Sequence, residues 1–259
     1  MYNEERRQKI YEMLKIQKVL DVTTLAKRLS VSCETIRRDL KYLEKSDLIK
    51  RTHGGAMLLP SGENKNKELT VGFRKTINLD KKRILAKKAA SFIADDDVII
   101  LDNSTTAASI LAFLPRNYHL TIITNSLQTM LELYNITNSE WTCISLGGHL
   151  RRKTCSTVGF LAKNVLSYLR PDKMFMSCAG INTEGQMTEG SIEEVEIKTA
   201  MIKESKMKFI LMDETKYGNT GSFNGENVDQ MDYFITNEAA AEKYKDFLKD
   251  RNIEIIGAE

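Results

Sequence analysis

Several groups of polar residues stand directly after short apolar runs, and they are the types that hold a phosphorylated, hydroxylated ligand. Asp102-Asn103-Ser104-Thr105-Thr106 follows Val98–Leu101, and Thr124-Asn125-Ser126 closes a second run. Gly147-Gly148 follows a third, with Arg151-Arg152 just beyond, and Asp213-Glu214-Thr215-Lys216 follows Phe209–Met212. Backbone N–H groups at a helix start are unpaired and attract an anion. Hydroxyls beside them add donors, glycines let backbone come close, and Arg or Lys neutralises a phosphate while Asp102 or Asp213 accepts from hydroxyls. Ser104 or Thr105 equally suits plain helix capping.

These groups reach one place only if the apolar runs are strands of one sheet. The strand candidates are Val98–Leu101, Leu120–Thr124, Thr142–Leu146, Met174–Cys178, Phe209–Met212, Tyr233–Thr236 and Ile253–Ile256. Helical patterns separate many of them, as at Lys81–Ile93, Ala107–Leu114, Ser126–Tyr134 and Glu193–Glu204. Strands alternating with helices predict an α/β domain with a mostly parallel sheet. All the polar groups then fall at the strands' carboxyl ends, where such sheets bind ligands.

A different unit precedes this one. Ile10, Met13 and Leu14 give residues 4–16 a helical stripe, and Leu25, Ala26 and Leu29 do the same for residues 22–29. Ser30-Val31-Ser32 reads as a tight turn, with Ser32 as N-cap of a third helix over 33–43. Ile36, Leu40 and Leu43 face inward there, leaving Thr35, Arg37, Arg38 and Lys41 outward. In a helix-turn-helix the exposed face of the second helix enters the major groove, where Arg pairs with guanine and Lys or Thr reaches phosphate. The stretch from Leu48 to Ala56, with Lys50, Arg51 and His53 before and at a Gly54-Gly55 turn, suits a β-wing against the phosphate backbone. The expected DNA-contacting set is Thr23, Ser32, Thr35, Arg37, Arg38, Lys41, Arg51, Thr52, His53 and Gly54.

Charge follows the same division. Residues 1–56 hold 13 Lys+Arg against 8 Asp+Glu, although the whole chain of 259 residues carries only +3. A basic small unit on a near-neutral large one suits a nucleic-acid module joined to something else. The expected layout is a winged helix-turn-helix over 1–57, a polar linker over 58–72 with Pro60, Gly62 and Gly72, and the α/β domain over 73–259. The four cysteines form no C-x-x-C and the three histidines have no metal spacing. With a charged N-terminus and no apolar run near the roughly 20 residues that cross a bilayer, the expectation is a reduced, cytoplasmic protein without metal or membrane contact. G-x-G-x-x-G and G-x-x-x-x-G-K-[ST] are absent, which argues against a nucleotide-binding module.

The stretch from Arg6 to Ala56, above all S-x-E-T-I-R-R-D-L (Ser32 to Leu40) and R-T-H-G-G-A (Arg51 to Ala56), closely resembles the DNA-binding domain of the DeoR family of bacterial repressors. The resemblance covers nearly the whole chain. The family's D-x-[SG]-T-T, T-N-S, L-G-G-x-x-R and D-x-[ST]-K motifs match Asp102–Thr106, Thr124–Ser126, Leu146–Arg151 and Asp213–Lys216, and its E-A-E-x-K…M-I helix matches Glu194–Lys198 with Met201-Ile202. It implies a sensor domain similar to the ribose-5-phosphate isomerase fold, and an effector site drawn from these positions with Glu194 and Gly180. Beside Gly180 stands Ala179, where many relatives carry Asp. It further implies a homo-oligomeric repressor of sugar-metabolism genes that binds double-stranded operator DNA under control of a sugar phosphate, without a cofactor. The alternative is a sugar-phosphate isomerase with a DNA-binding appendage, in which Lys216 and Glu194 act as acid and base.

Overall fold

The computed structural model describes residues 3–44, 49–59, 70–137 and 139–259. The chain divides into two compact units, Met1–Leu79 and Asp80–Glu259.

The first unit is built on α1 (Asn3–Gln17), β1 (Val19–Asp21), α2 (Val22–Leu29) and α3 (Cys33–Glu44), followed by β2 (Ile49–Arg51) and β3 (Gly55–Leu58). Asp21 caps α2 by accepting from the Thr24 N–H at 2.7 Å, and Ser32 caps α3 through the Thr35 N–H at 3.2 Å. Ser30 takes the left-handed conformation that ends α2. Ile10, Leu14, Leu25, Ile36, Leu40, Leu43 and Ile49 meet in one core, as the helical stripes require. The wing is a three-stranded antiparallel sheet in the order β1-β3-β2 rather than two strands alone. Gly55 makes this possible, since a Cβ there would lie 2.1 Å from the Leu20 carbonyl oxygen of β1.

The sequence places the second domain from residue 73, but the break falls near Leu79. A short helix, α4 (Val71–Thr76), returns Phe73 to the first unit's core, edge-on to Tyr11 at 4.9 Å. Of the expected linker, residues 60–69 lie outside the described residues, as does Leu48 of the wing stretch.

The second unit opens with α5 (Leu79–Ala90) and holds a seven-stranded, wholly parallel sheet. Its strands in chain order are β4 (Val98–Leu101), β5 (His119–Thr124), β6 (Glu140–Ser145), β9 (Lys173–Met176), β12 (Met207–Leu211), β14 (Tyr233–Asn237) and β15 (Glu254–Ala258). Their spatial order is β15-β14-β12-β9-β4-β5-β6. Alternation along each strand feeds two cores: Ile100, Ile123, Ile210 and Phe234 face one side, and Ile99, Leu101, Ile122, Phe209 and Leu211 the other. The first side is covered by α8 (Phe160–Leu166), α9 (Ile192–Glu204) and α10 (Glu238–Leu248). The second is covered by α5, a 3-10 turn over 109–113 and α7 (Leu127–Asn135). Burial on both faces explains why the inner strands β4, β9 and β12 read as largely apolar runs, while the edge strand β6 is partly exposed and mixed in composition.

Two small sheets decorate this layer: a hairpin of β7 (His149–Arg151) and β8 (Ser156–Val158), and an antiparallel group of β10 (Gly180-Ile181), β11 (Gln186–Glu189) and β13 (Phe223–Asn227). The chain leaves β4 for β5 and β6, then returns to β9 on the other side of β4. The strand order therefore reverses between β4 and β9, and a crevice opens at the carboxyl ends of such a pair.

Candidate functional site

Two places bring together the side chains that the sequence singles out. In the first unit, α3 buries Ile36, Asp39, Leu40 and Leu43 and exposes Arg37, Arg38 and Lys41, with Thr35 half-buried. Ser32 and Thr35 share a hydroxyl contact of 2.9 Å at the start of that helix. Thr23 is exposed on α2, and Arg51, Thr52, His53 and Gly54 are exposed at the wing tip, where the Thr52 N–H closes the turn onto the Gly55 carbonyl at 2.9 Å. Among the described residues, Arg37 and Arg38 pair with Glu34 alone, at 3.6 and 3.8 Å, all three well exposed. Such surface pairs are worth about 0–1 kcal/mol, so a phosphate or base edge can displace them.

Sequence reasoning missed what fixes this face. Asp39 on α3 is 1% exposed and receives Arg6 Nε at 2.6 Å and Arg7 Nε at 2.9 Å, both from α1. Arg7 also lies over the Tyr42 ring at 3.8 Å. The visible signal was a carboxylate beside two arginines, which also reads as a solvated face.

In the second unit, the carboxyl ends of β4, β5 and β9 converge on the start of α9. Ser191 caps this helix by accepting from the Glu194 N–H at 3.3 Å. Glu194 is 1% exposed, and its Oε1 accepts from Asn103 Nδ2 at 3.0 Å, Arg151 Nη1 at 3.0 Å, Thr154 Oγ1 at 3.0 Å and Ser156 Oγ at 2.7 Å. Its Oε2 is buried without a partner, as are Asn103 Oδ1, Asn125 Oδ1 and Ser177 Oγ. Asn103 must turn its amide donor to Glu194, and Asn125 turns its own to the Thr157 carbonyl at 3.1 Å. Both therefore leave an acceptor free. Four unsatisfied polar atoms in one buried cluster are costly unless a ligand or water completes them.

One turn along α9, Lys198 knots the strand ends together. Its Nζ donates to the Ser177 carbonyl at 2.6 Å and Glu189 Oε1 at 2.5 Å, and lies 3.1 Å from Asp102 Oδ2. Burial works against this ammonium, but Glu189, Asp102 and Glu194 outweigh it and hold its pKa above the ordinary lysine value. Burial raises the Glu189 pKa, and Lys198 offsets this only in part. Asp102 is spent structurally, accepting the Ser104 N–H at 2.9 Å and the Ser177 N–H at 3.3 Å.

The remaining expected residues divide. Thr105 and Thr106 are buried at the head of the loop after β4, and Ser104 caps the turn through the Ala107 N–H at 3.1 Å. Thr124 and Ser126 are buried in the same way, and Ser126 caps α7 through the Thr129 N–H. Gly147 and Gly148 both take positive φ at the end of β6. Gly180 instead answers a close approach, since a Cβ there would lie 2.0 Å from the Asn219 carbonyl oxygen. Arg151 joins Glu194, whereas Arg152 is exposed in the hairpin turn. Asp213 accepts from the Thr215 N–H and hydroxyl, and Lys216 donates to the Cys178 carbonyl at 2.9 Å. Thr154, Ser156 and Glu189 were not singled out, because they sit on a hairpin and a short strand without a strong apolar signal; Ser177 was read only as part of a strand, and Lys198 only as part of the matched helix.

Neither cysteine nor metal chemistry is favoured here. Cys178 is buried, donates toward the Gly180 carbonyl, and has its thiol pushed up to about 12 by burial, so it remains protonated. Asp95, Asp96 and His119 come together at the opposite edge of the sheet, all exposed, but Asp95 is engaged by the His119 N–H at 2.6 Å and ties that loop. Among the described residues, no helix is long and apolar enough to cross a membrane.

Comparison with known proteins agrees with both units. Residues 6–61 match the model of the DeoR-like helix-turn-helix domain, and residues 77–238 that of the DeoR C-terminal sensor domain. The HTH-type transcriptional regulator YulB of Bacillus subtilis is 33% identical over 251 residues, covering 97% of this chain and 95% of that protein. The glycerol-3-phosphate regulon repressor of Escherichia coli is 28% identical, covering 98% and 99%, and the lactose phosphotransferase system repressor of Lactococcus lactis is 34% identical, covering 84% of each. Among solved structures, ribose 5-phosphate isomerase A of Methanocaldococcus jannaschii is similar over 54% of this chain and 55% of its own, at 17% identity and a TM-score of 0.40.

Proposed function

The chain belongs to the DeoR family of transcriptional regulators, and we propose that it represses genes of sugar or polyol metabolism, with a phosphorylated sugar as effector of its second unit. The observation that carries this reading is the buried set of unpartnered acceptors, Glu194 Oε2, Asn103 Oδ1, Asn125 Oδ1 and Ser177 Oγ, at the crevice where the strand order reverses. Three of them can only accept, so they suit the hydroxyl donors of a polyol. Lys216 beyond β12, which reaches the carbonyl of Cys178 next to Ser177, and the exposed Arg152 of the hairpin turn supply the charge for a phosphate. The effector set is that expected from the sequence, with Ser177, Thr154 and Ser156 added. Two relatives are named the glycerol-3-phosphate regulon repressor and the lactose phosphotransferase system repressor, which supports the effector class.

The DNA-contacting set is Arg37, Arg38 and Lys41 on α3, flanked by Thr23, Ser32, Thr35 and the wing residues Arg51 to Gly54. A helix-turn-helix of this kind reads paired half-sites as a two-fold assembly, so the working form is a homo-oligomer. The site binds rather than turns over its ligand: Lys216 engages backbone carbonyls and Glu194 crowds four donors onto one oxygen. Lys216, held on carbonyl oxygens, is not free to shuttle a proton, and the open Glu194 Oε2 is left to accept from a ligand hydroxyl.

Fluorescence anisotropy on DNA upstream of the gene cluster, titrated with sugar and polyol phosphates, tests the reading. One compound that shifts operator affinity supports it. Absence of DNA binding even at low salt overturns it, and turnover of ribose 5-phosphate would favour the isomerase reading.

A further inference from the structure

We infer that the outer face of α8, with β7 and the start of α9, is the surface through which a second copy of this chain docks on the second unit. Helix α8 buries Ala162 and Leu166 against the sheet, as an amphipathic helix should, yet its outward positions are Phe160 and Leu161, exposed by 73% and 61%. A solvated helix face would carry charge there. Strand β7 adjoins this surface through His149, whose ring lies 3.2 Å from where a Gly159 Cβ would stand, one residue before Phe160, while the half-exposed Leu150 points to the other face of that strand. Ile192, also half-exposed, begins α9, which is fastened to α8 by Lys163 and Glu196 at 2.9 Å.

The size of the face identifies its occupant. A buried aromatic covers roughly 150–250 Å². Phe160 with Leu161 and Ile192 therefore offers on the order of 300 Å² of apolar surface, more than a third of the ~800 Å² that each partner gives to a standard interface. Polar rims supply the rest in such interfaces. A single apolar core of that size is what a self-complementary two-fold contact needs, and paired half-sites require two copies of the chain. Of the other large exposed apolar side chains of this unit, Leu131 and Tyr134 lie on α7, whose Leu133 packs on the opposite side of the sheet, Phe223 opens β13, and Tyr168 follows the far end of α8. The hairpin links the face to the effector cluster, since its Arg151, Thr154 and Ser156 are the donors on Glu194.

The test is sedimentation equilibrium of the full chain carrying Phe160→Glu with Leu161→Glu, and separately Tyr134→Glu. Self-association of the wild type should weaken by at least about 30-fold in the double variant and stay unchanged in Tyr134→Glu. Affinity for an operator with two half-sites should fall with it. A wild-type chain that is monomeric throughout, a double variant that associates normally, or equal loss in Tyr134→Glu overturns the assignment. If the double variant does not fold, hydroxyl-radical footprinting of the wild type decides. Phe160 and Leu161 should become protected as concentration rises, and constant labelling overturns the proposal.

Discussion

Asp39 lies on the buried side of α3, and its removal is the sharpest test of how the proposed DNA-reading face is held. In Asp39→Ala, Arg6 and Arg7 lose their carboxylate, with Arg6 only 7% exposed at its side chain and Arg7 19%. Removing one partner of a buried ion pair costs about 3–5 kcal/mol, because the remaining charge stays desolvated. Arg7 keeps its place over Tyr42, which argues for the lower half of that range. A unit the size of Met1–Leu79 has roughly 4–12 kcal/mol in total at 0.05–0.15 kcal/mol per residue, so Asp39→Ala forfeits a quarter or more. The assay is hydrogen exchange of the α3 amides in the full chain, read beside operator affinity. Protection of Leu40 and Leu43 should fall by at least about 100-fold, as 1.4 kcal/mol is tenfold, while amides of β4 and β9 keep theirs. Glu34→Ala, which removes only exposed pairs, should cost under about 1 kcal/mol. If Asp39→Ala leaves α3 protection within about fivefold of wild type, the two arginines are solvated in practice and Asp39 does not position the helix.

Further outcomes follow from the same geometry. Arg37→Ala or Arg38→Ala should weaken specific operator binding by about 1–3 kcal/mol where the side chain reads a base, or lower the salt slope by about one where it meets phosphate, with effector binding intact by calorimetry. Lys216→Ala should retain operator affinity but lose its response to the effector in the anisotropy titration; normal release removes Lys216 from the site. Lys198→Met leaves Asp102 and Glu189 buried without their cation and should cost about 3–5 kcal/mol in urea unfolding. Because the folded pKa of Lys198 is raised, its contribution is complete below the free-lysine value of about 10.4 and is lost as pH rises through the higher folded value. Urea midpoints should therefore show an alkaline decline in the wild type that Lys198→Met lacks. Gly55→Ala drives a Cβ into the Leu20 carbonyl and should unpair β1 from β3, seen as lost protection at Leu20.

What was legible in the sequence was what repeats. The inner strands of the parallel sheet announce themselves because burial on both faces leaves apolar runs such as Val98–Leu101 and Phe209–Leu211, and α3 because Ile36, Leu40 and Leu43 recur at helical spacing. Elements with one residue of signal were not legible. The wing's third strand, Val19–Asp21, is three residues long and is specified by Gly55 some 35 positions away. The short helix of Phe73 follows a polar stretch and looks like the start of the next domain, yet its ring completes the first core. The site was legible in its loops but not in its chemistry. Asp102, Thr124 and Asp213 stand where parallel strands must end, but Asp102 and Asp213 turn out to accept from nearby backbone N–H groups. The open acceptors belong to Asn103, Asn125, Ser177 and Glu194. Which polar atom is spent on the fold and which is left for a ligand depends on partners such as Thr154 and Ser156, 40 and 38 residues from Glu194 in the chain. Local pattern carries no information at that distance. For this reason the acceptor set, rather than the motif set, discriminates a polyol phosphate from other anions: an anion without hydroxyl donors would leave Glu194 Oε2 and Asn103 Oδ1 as costly as they are without it.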